Sequence, residues 1–240
     1  MGQWKFREDI NFVAIVCTCL SFWDKTVRSS GILCQGDYAM PSDSQLKELR
    51  ESNKLVIWVL GGPGSGKGTQ CDKIVAKYNF THISTGDLLR AEVETGTERA
   101  KALNAIMKEG ALVPMNVVLA LLAERMIATV KTSNGFLIDG YPRELAQGQE
   151  FEKSIKPCDL VLYMKANDNT LVQRLLNRGK TSGRTDDNEE TIQKRLKTFH
   201  DHSDPIINNY TSKVSEIDSE RDTEAIFSDV VSAIDAVKKS

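Results

Sequence analysis

Residues 55–69, LVIWVLGGPGSGKGT, decide the fold, because an apolar run leads there directly into a glycine-rich loop. A short apolar, β-branched run that ends in glycines predicts a buried strand. Beyond the loop, side chains at the i, i+3, i+4, i+7 spacing of a helix are Cys71, Ile74, Val75 and Tyr78. Strand, glycine loop and helix in this order predict a phosphate-binding loop, since the helix N-terminus and the loop amides attract anions.

The loop departs from the general phosphate-binding pattern at one position. That pattern ends in Lys followed by Ser or Thr, whose hydroxyl binds magnesium, whereas here Gly68 follows Lys67 and Thr69 comes one residue later. We therefore expect Lys67 to reach the outer phosphates, and Mg2+ to be held by the phosphates, water and a carboxylate elsewhere. The alternative is a glycine-rich turn that binds no ligand.

Composition narrows the class of protein. The chain has 240 residues, of which 40% are hydrophobic and 27% charged, as in soluble globular proteins. The net charge of −2 provides no basic surface, so we expect no nucleic-acid partner. Five cysteines without a C-x-x-C pair indicate free thiols in a reducing compartment. We expect a cytoplasmic monomer.

Residues 1–50 are interpreted as a poorly ordered N-terminal extension. Residues 10–23 are apolar-leaning, but this run is shorter than the roughly 20 residues of a membrane helix. Met40 is followed by a polar, proline-containing stretch and offers an alternative start. We expect no stable membrane association, and a membrane or organelle anchor is the alternative.

Strand-like and helix-like patterns alternate from residue 55 onward. The predicted strands are residues 55–60, 80–84, 136–138, 160–164 and 214–217. Near-continuous apolar strands predict a parallel sheet that helices cover on both faces. A helix from near Thr170 is expected to end at Gly179, with glycine as its C-cap. The next helix is expected to begin at Asp187, an acidic cap with Glu190 three residues later.

Two stretches do not fit this alternation. Residues 84–113 are too long for one simple crossover between strands. Residues 179–187 are polar and glycine-rich, which favours a mobile loop of the kind that closes over a phosphate site. An ordinary exposed connector is the alternative for this second stretch.

Charged residues near turns and helix starts favour a phosphate clamp. Arginine binds phosphate in a bidentate manner, and the candidates are Arg90, Arg143, Arg178, Arg184 and Arg195. Each alone is more often a surface arginine. Asp139 follows the third predicted strand, where a carboxylate can order the water of a magnesium ion; the alternative is a turn-forming residue before Gly140. The three histidines lie in no catalytic motif, and a phosphate acceptor needs no general base.

Five motifs, in order, make the chain similar to the short-lid adenylate kinases. They are GGPGSGKGTQC (61–71), STGDLLR (84–90), LVP (112–114), FLIDGYPRE (136–144) and TSGRTDDNEETIQKRL (181–196). The resemblance spans about residues 54–238 and implies an α/β fold of the P-loop NTPase type. A five-stranded parallel sheet would form the middle of a three-layer sandwich. The kinase domain would be residues 51–240, with an AMP-binding helical insert at 84–113 and a short lid at 177–187.

The resemblance implies reversible transfer of the γ-phosphate of magnesium ATP to AMP, giving two ADP, and thus a part in adenine nucleotide homeostasis. Mg2+ would accompany ATP, bound through water at Asp139 and not directly by the protein. Because the lid is short and has no cysteine pair, no zinc is expected.

The resemblance also implies residue roles. The ATP site would comprise Gly64, Ser65, Gly66, Lys67, Gly68, Thr69 and Arg178. The AMP site would comprise Thr85, Arg90, Ala111, Leu112, Val113, Gly140, Tyr141, Pro142, Arg143 and Gln147, and would extend to Arg184 and Arg195. Catalysis would rest on Lys67, Arg143, Arg184, Arg195 and Asp139. Asp186 and Asp187 would hinge and lock the lid.

Side chains at three positions favour AMP over UMP or CMP. Thr85 and Tyr141 differ from the residues of the related UMP/CMP kinases, and Gln147 fits an adenine edge. A UMP/CMP kinase, an adenine-nucleotide-binding protein with little catalysis, and another P-loop enzyme such as a sulfotransferase are the alternatives. One departure is Arg221, which stands near the expected ATP base where short-lid relatives tend to have glycine.

Overall fold

The computed structural model describes residues 38–182, 184 and 186–239, and the expectations for residues 1–37 lie outside this range. Its sheet consists of β1 (Leu55–Gly61), β2 (Thr81–Ser84), β3 (Gly135–Asp139), β4 (Leu160–Lys165) and β5 (Val214–Asp218). All pairings are parallel, in the order β2-β3-β1-β4-β5. The five strand predictions are confirmed to within one residue at each end.

Helices follow each strand and precede β1. They are α1 (Asp43–Glu51), α2 (Lys67–Tyr78), α3 (Thr85–Glu94), α4 (Glu98–Lys108), α5 (Met115–Thr129), α6 (Leu145–Ser154), α7 (Asp168–Ser182), α8 (Glu189–Asn209) and α9 (Thr223–Lys238). Among the described residues, none of these helices has the length and apolar content needed to cross a bilayer. The predicted α/β class with a five-stranded parallel sheet is confirmed.

Alternate residues of the strands face two different helical layers. From β1, Ile57 and Val59 point into a cluster with Ile74 of α2 and with Val230 and Ile234 of α9, all of them buried. This cluster joins the phosphate-loop strand and helix to the last helix of the chain. The rigid packing of α2 against the sheet therefore fixes the position of its N-terminus.

The other face of β1 carries one large aromatic side chain. Trp58 is fully buried and meets Tyr141, Phe151 and Tyr210 edge-on, with ring centroids 6.0, 5.6 and 5.1 Å away. Edge-to-face contacts add specificity to the apolar burial. These contacts hold the segment after β3, helix α6 and the end of α8 together on this face of the sheet. The residues that follow Asp139 are therefore held rigidly in place.

Helix α1 crosses the boundary drawn at residue 50. Its Leu46 and Leu49 are buried, and it packs against α5. Arg50 Nη2 donates a hydrogen bond to the carbonyl oxygen of Ser154 at 2.6 Å. The folded body of the protein therefore begins before β1, at an amphipathic helix attached to both α5 and α6.

The long crossover between β2 and β3 contains three helices. Helix α5 covers the sheet, while α3 and α4 pack against each other and account for the predicted insert at 84–113. Ser84 caps α3, since its side chain accepts a hydrogen bond from the Asp87 amide at 3.2 Å. The insert thus begins directly at the carboxyl end of β2.

The predicted boundary between α7 and α8 is wrong at both ends. Helix α7 continues through Gly179 to Ser182, and a Cβ atom on Gly179 would lie 2.8 Å from the carbonyl oxygen of Asp187. Gly179 is therefore required for a close approach of the chain and not as a C-cap. The N-cap of α8 is Asn188, whose side chain accepts from the Thr191 amide at 2.9 Å, because the Asp187 carboxylate is bound to arginine instead.

Glycine is structurally required in the phosphate-binding loop only where the backbone is left-handed or crowded. Gly64 has φ +85°, and a Cβ there would lie 2.8 Å from the carbonyl oxygen of Leu171. Gly68 lies in α2, and a Cβ there would meet no atom within 4 Å. Only the first of these two glycines is demanded by the fold itself.

We expect Gly64→Ala to lower the free energy of unfolding by about 2 kcal/mol, because alanine is strained at positive φ and crowds the chain. Gly68→Ala should leave it unchanged or slightly higher, since alanine is favoured in a helix. Denaturant unfolding without nucleotide measures both variants. Equal stabilities of the two variants would contradict this explanation.

Candidate active site

The carboxyl ends of four strands meet at one edge of the sheet. In the strand register, Asp139 of β3 lies opposite Val59 of β1 and Ser84 of β2, while Gly61 pairs with Met164 of β4. Because β3 and β4 flank β1 on opposite sides, the chain leaves β1 at a topological switch point, where α/β proteins bind ligands. A cavity of about 780 Å3 opens there.

Most residues predicted for the site line this cavity. They are Gly64, Ser65, Gly66, Lys67, Gly68, Thr69, Thr85, Arg90, Ala111, Leu112, Val113, Asp139, Gly140, Pro142, Arg143, Arg178, Arg184, Asp186 and Arg195. They come from the phosphate-binding loop, the insert, the segment after β3 and the region between α7 and α8. The fold therefore gathers residues that are up to 131 positions apart in the chain.

Lys67 lies at the start of α2 and folds back over the loop. Its Nζ donates to the carbonyl oxygens of Gly61 and Gly62, both at 2.9 Å. Gly66, the N-cap residue, has no side chain to cap the first amides of α2. The loop thus combines uncapped N–H groups with a lysine ammonium, an arrangement suited to phosphate.

Positive charge is crowded inside the cavity. Burial, together with Arg195 and Arg143, lowers the pKa of Lys67 to about 8, although the Asp139 carboxylate opposes this shift. Burial and Arg195 likewise lower the pKa of Arg143 to about 10. A bound anion would relieve both the desolvation and the mutual repulsion. The electrostatics of the cavity are therefore those of a polyanion site.

Asp139 is the carboxylate at the centre of these cations. His82 Nε2 lies 3.4 Å from its Oδ2, and ligand atoms of Cys71, His82 and Asp139 lie within 4.8 Å of one another. Burial, then Asp139, raises the pKa of the Cys71 thiol well above its usual value, so the thiol stays protonated. Mg2+ prefers oxygen ligands, and of these three groups only the Asp139 carboxylate suits it.

The insert and the segment after β3 are joined at Thr85. Its Oγ1 donates towards the carbonyl oxygens of Asp139 and Gly140, at 3.1 and 3.2 Å. Gly140 has φ +72°, and a Cβ there would lie 3.3 Å from Thr85 Oγ1. The hydroxyl of Thr85 therefore fixes the start of α3 against the turn that carries Arg143.

Tyr141 and Gln147 lie behind the cavity wall. Tyr141 is fully buried against Trp58, and its hydroxyl donates to the carbonyl oxygen of Gln147 at 2.5 Å. The Gln147 Oε1 accepts from the Arg143 amide at 3.0 Å. Both residues thus support the Arg143 turn, while their direct contact with a nucleotide stays a prediction.

Two aspartates that follow α7 hold one arginine of α7 and one of α8. Arg178 forms a bidentate pair with Asp187, with both N···O distances 2.7 Å. Arg195 Nη1 lies 2.8 Å from Asp186 Oδ2 and 3.1 Å from Asp187 Oδ1. Burial opposes ionisation of Asp187, but the two arginines more than offset it and lower its pKa. Asp187 therefore orients two cations while being buried itself.

The region after α7 also meets the insert across the cavity. Arg184 Nη2 lies 3.5 Å from Asp87 Oδ1 in α3. Thr191 Oγ1 donates to the carbonyl oxygen of Lys108 at 3.1 Å, and Lys194 pairs with Glu109 at 2.8 Å. These contacts connect the lid side to both ends of the insert and enclose the site.

Several residues of the cavity were missed by sequence reasoning. Arg174, whose Nη2 donates to the carbonyl oxygen of Ser219 at 3.0 Å, is one helical turn before Arg178, and that spacing places both on one helix face. The contacts of Asp87 with Arg184 and of His82 with Asp139 carry no such signal, since both are made across the fold. Arg221 was not missed, since the sequence placed it near the expected ATP base; it lines the cavity, is paired with Asp229 and lies 3.5 Å from Asp218.

Comparison with known proteins identifies the family. The family model described as adenylate kinase matches residues 59–215, more than half of the chain. This chain belongs to the adenylate kinase family. The match covers the phosphate-binding loop, Asp139 and the five arginines predicted for the phosphate clamp, so the resemblance carried by the five sequence motifs is confirmed.

Individual relatives are similar in sequence to this chain over most of their own length. Adenylate kinase isoenzyme 1 of Rattus norvegicus is 54% identical over 185 residues, 76% of this chain and 95% of the relative. The Gallus gallus protein of the same name is 56% identical over 182 residues, covering 75% and 94%. That of Caenorhabditis elegans is 52% identical over 193 residues, covering 79% and 92%. The chain is an adenylate kinase by family, as the motifs predicted.

We expect ATP binding to take up roughly 0.7 proton per site at pH 8.5, because Lys67, with its pKa near 8, is mostly neutral there and regains a proton beside phosphate. Uptake should fall towards pH 7, where the free enzyme is already protonated. Calorimetry in buffers of different ionisation enthalpy measures it.

Lys67→Arg is the control, since a guanidinium stays charged throughout this pH range. We expect this variant to bind ATP with much smaller proton uptake at pH 8.5. The same uptake in both proteins would show that Lys67 is not the titrating group.

Proposed function

We propose that this chain transfers the γ-phosphoryl group of ATP to the phosphate of AMP, reversibly, to give two ADP. The observation that carries the proposal is the enclosed group of Lys67, Arg143 and Arg195 around Asp139, between the phosphate-binding loop and the insert. The bond from phosphorus to the β–γ bridging oxygen breaks, and one forms from phosphorus to an AMP phosphate oxygen. One ADP then leaves the ATP side of the cavity and the other leaves the AMP side.

In this proposal the ATP phosphates lie in the loop. The amides of Gly64, Gly66 and Gly68 face them, and Lys67 leaves its two carbonyl partners to contact the transferring group. Arg178, held by Asp187, flanks the nucleotide. These groups act by position and charge, which is the main protein contribution to phosphoryl transfer.

AMP lies on the insert side. Thr85 and Arg90 of α3 face it, with the backbone of 111–113 along its base and ribose and Arg143 on its phosphate. Gln147 contributes through its amide, whose oxygen also holds the Arg143 backbone. Because the acceptor is already anionic, no side chain has to remove a proton from it.

Mg2+ fits the donor chemistry on one side of the cavity. Asp139 would hold it through water, and the ion would supply charge neutralisation of the phosphate oxygens. The absence of a hydroxyl at position 68 agrees with this indirect arrangement, because the usual direct ligand of phosphate-binding loops is missing there. No zinc is included in the proposal, since the short lid region contains no cysteine.

The region between α7 and α8 completes the proposed site. Arg184 and Arg195 approach from this side, and closure would bring them to the transferring group while excluding water. Water is a competing acceptor, so exclusion prevents hydrolysis of ATP. Asp186 and Asp187 hold Arg195 in place during this step. We further propose that the enzyme acts as a cytoplasmic monomer, without nucleic-acid or membrane partners.

The AMP assignment has a direct test against its two rivals. With magnesium ATP and separate acceptors, we expect turnover with AMP far above that with CMP or UMP, because unpaired buried polar groups reject the wrong base. Faster turnover with CMP or UMP would establish a UMP/CMP kinase. Binding of ATP without turnover would establish a nucleotide-binding protein.

We expect Lys67→Met and Arg143→Ala to lower kcat at least about 100-fold, since each removes a cation that stabilises the transferring phosphoryl group. Thermal unfolding should change little, because the cations of the cavity repel each other in the free enzyme. Lys153→Met is the control: Lys153 is an exposed lysine paired with Glu150. Near-normal kcat in either site variant would contradict the assigned role.

A further inference from the structure

Tyr38 joins the chain before α1 to the insert. It is 9% exposed, and its hydroxyl donates to Glu92 Oε1 at 2.8 Å. The guanidinium of Arg99 lies over its ring at 4.7 Å, and Arg99 Nε donates to the same Glu92 oxygen at 3.1 Å. Glu92 is in the last turn of α3 and Arg99 in the first turn of α4. Tyr38 therefore contacts the corner between the two insert helices.

The other end of this segment is fixed to a different part of the protein. Five residues after Tyr38, α1 begins, and it buries Leu46 and Leu49. The Arg50 hydrogen bond to Ser154 attaches α1 to α6, beneath the sheet. Residues 38–51 thus connect the body of the protein, which packs on the sheet, to the insert. This connection is additional to the two covalent ones, by which the insert follows β2 and precedes α5.

The connecting segment is short and stiff. Residues 39–42 can span at most roughly 14 Å when fully extended. Pro41 has a fixed φ and holds Met40 in an extended conformation, while Ser42 is extended as the N-cap of α1. A segment of this kind cannot follow a large movement of the insert, so such a movement would have to break the Tyr38 contacts.

In the arrangement that the structure shows, the insert is held on the side of the lid region. Asp87 of α3 lies 3.5 Å from Arg184, and the end of α4 is bonded to α8 through Lys108. Tyr38 makes its contacts in this same arrangement. Its interaction energy therefore favours the insert position in which the cavity is enclosed.

We propose that Tyr38 is a positioning residue for the acceptor nucleotide, which holds the α3–α4 corner in the enclosed arrangement and thereby strengthens AMP binding. The inference rests on the proposed assignment of 84–113 as the AMP-binding insert. It concerns a residue that precedes the part of the chain matched by the family model, residues 59–215.

The direction of the effect follows from population-shift reasoning. When a ligand binds only one arrangement of a protein, its apparent affinity is proportional to the fraction of the protein that is in that arrangement. Loss of the Tyr38 contacts lowers the enclosed fraction before AMP binds, so the KM for AMP rises. The KM for ATP, whose loop is on β1 and α2, changes little, and kcat is kept because no reacting group is removed.

The test compares Tyr38→Phe and Tyr38→Ala in the full chain. Tyr38→Phe removes the hydroxyl bond to Glu92 but keeps the ring under Arg99, whereas Tyr38→Ala removes both. Tyr78→Phe is the matched control, because the Tyr78 hydroxyl donates to Asp235 at the same 2.8 Å but joins α2 to α9, away from the insert. Each protein is measured for the two KM values, kcat, AMP affinity by calorimetry and thermal unfolding.

We expect the KM and Kd for AMP to rise about fivefold in Tyr38→Ala and less in Tyr38→Phe, with the KM for ATP and kcat within about twofold. The control should leave all four values unchanged. Unchanged AMP constants, or equal rises for ATP and AMP, would overturn the proposal even if unfolding temperatures fall. Were the unmodified protein not to use AMP at all, the proposed function itself would fail, which is a separate result.

Discussion

The enclosure of several cations around one carboxylate is the constraint on which the rest of the structure depends. Lys67, Arg143 and Arg195 repel one another and lose solvation in the cavity, so that the pKa of the first two falls. Only a well-packed frame can hold such groups together without ligand. The frame consists of β1 and β3. Trp58 fixes it on one face of the sheet, and the cluster between α2 and α9 fixes it on the other. Because the cations are held close together before any ligand binds, the free protein already attracts polyphosphate.

The same constraint explains the shape of the region between α7 and α8. Two arginines can face a phosphate only if something orients them when no phosphate is bound, and Asp187 does so from a fully buried position. That position requires its backbone to pass within van der Waals distance of α7, which is possible because residue 179 is glycine. The glycine at residue 179 is thus explained by its close contact with the backbone of residue 187, eight positions later, and not by a role as C-cap of α7.

The insert is linked to the body in a comparable way. Its helices α3 and α4 leave the sheet at β2 and return through α5, and Tyr38 adds a third connection at the corner between them. Glu92 accepts from both Tyr38 and Arg99, so one carboxylate joins the upstream chain, α3 and α4. Substrate sites and their supports are therefore connected through side chains distant from the phosphates.

The sequence by itself determined the sheet, the phosphate-binding loop and the class of chemistry, because apolar runs, glycines and the Gly-Lys pair act through local conformation and short-range order. The motifs also predicted a set of site residues, and most of these line one cavity, while their roles stay a prediction. Tertiary structure alone decided where α7 ends and where α8 begins. It also decided that Tyr141 and Gln147 lie behind the cavity wall. The contacts that His82, Asp87 and Tyr38 make with distant parts of the chain were likewise decided only by folding. Those features depend on which surfaces meet after folding, since a hydrogen bond between residues 54 positions apart, such as that of Tyr38 with Glu92, leaves no pattern in either segment.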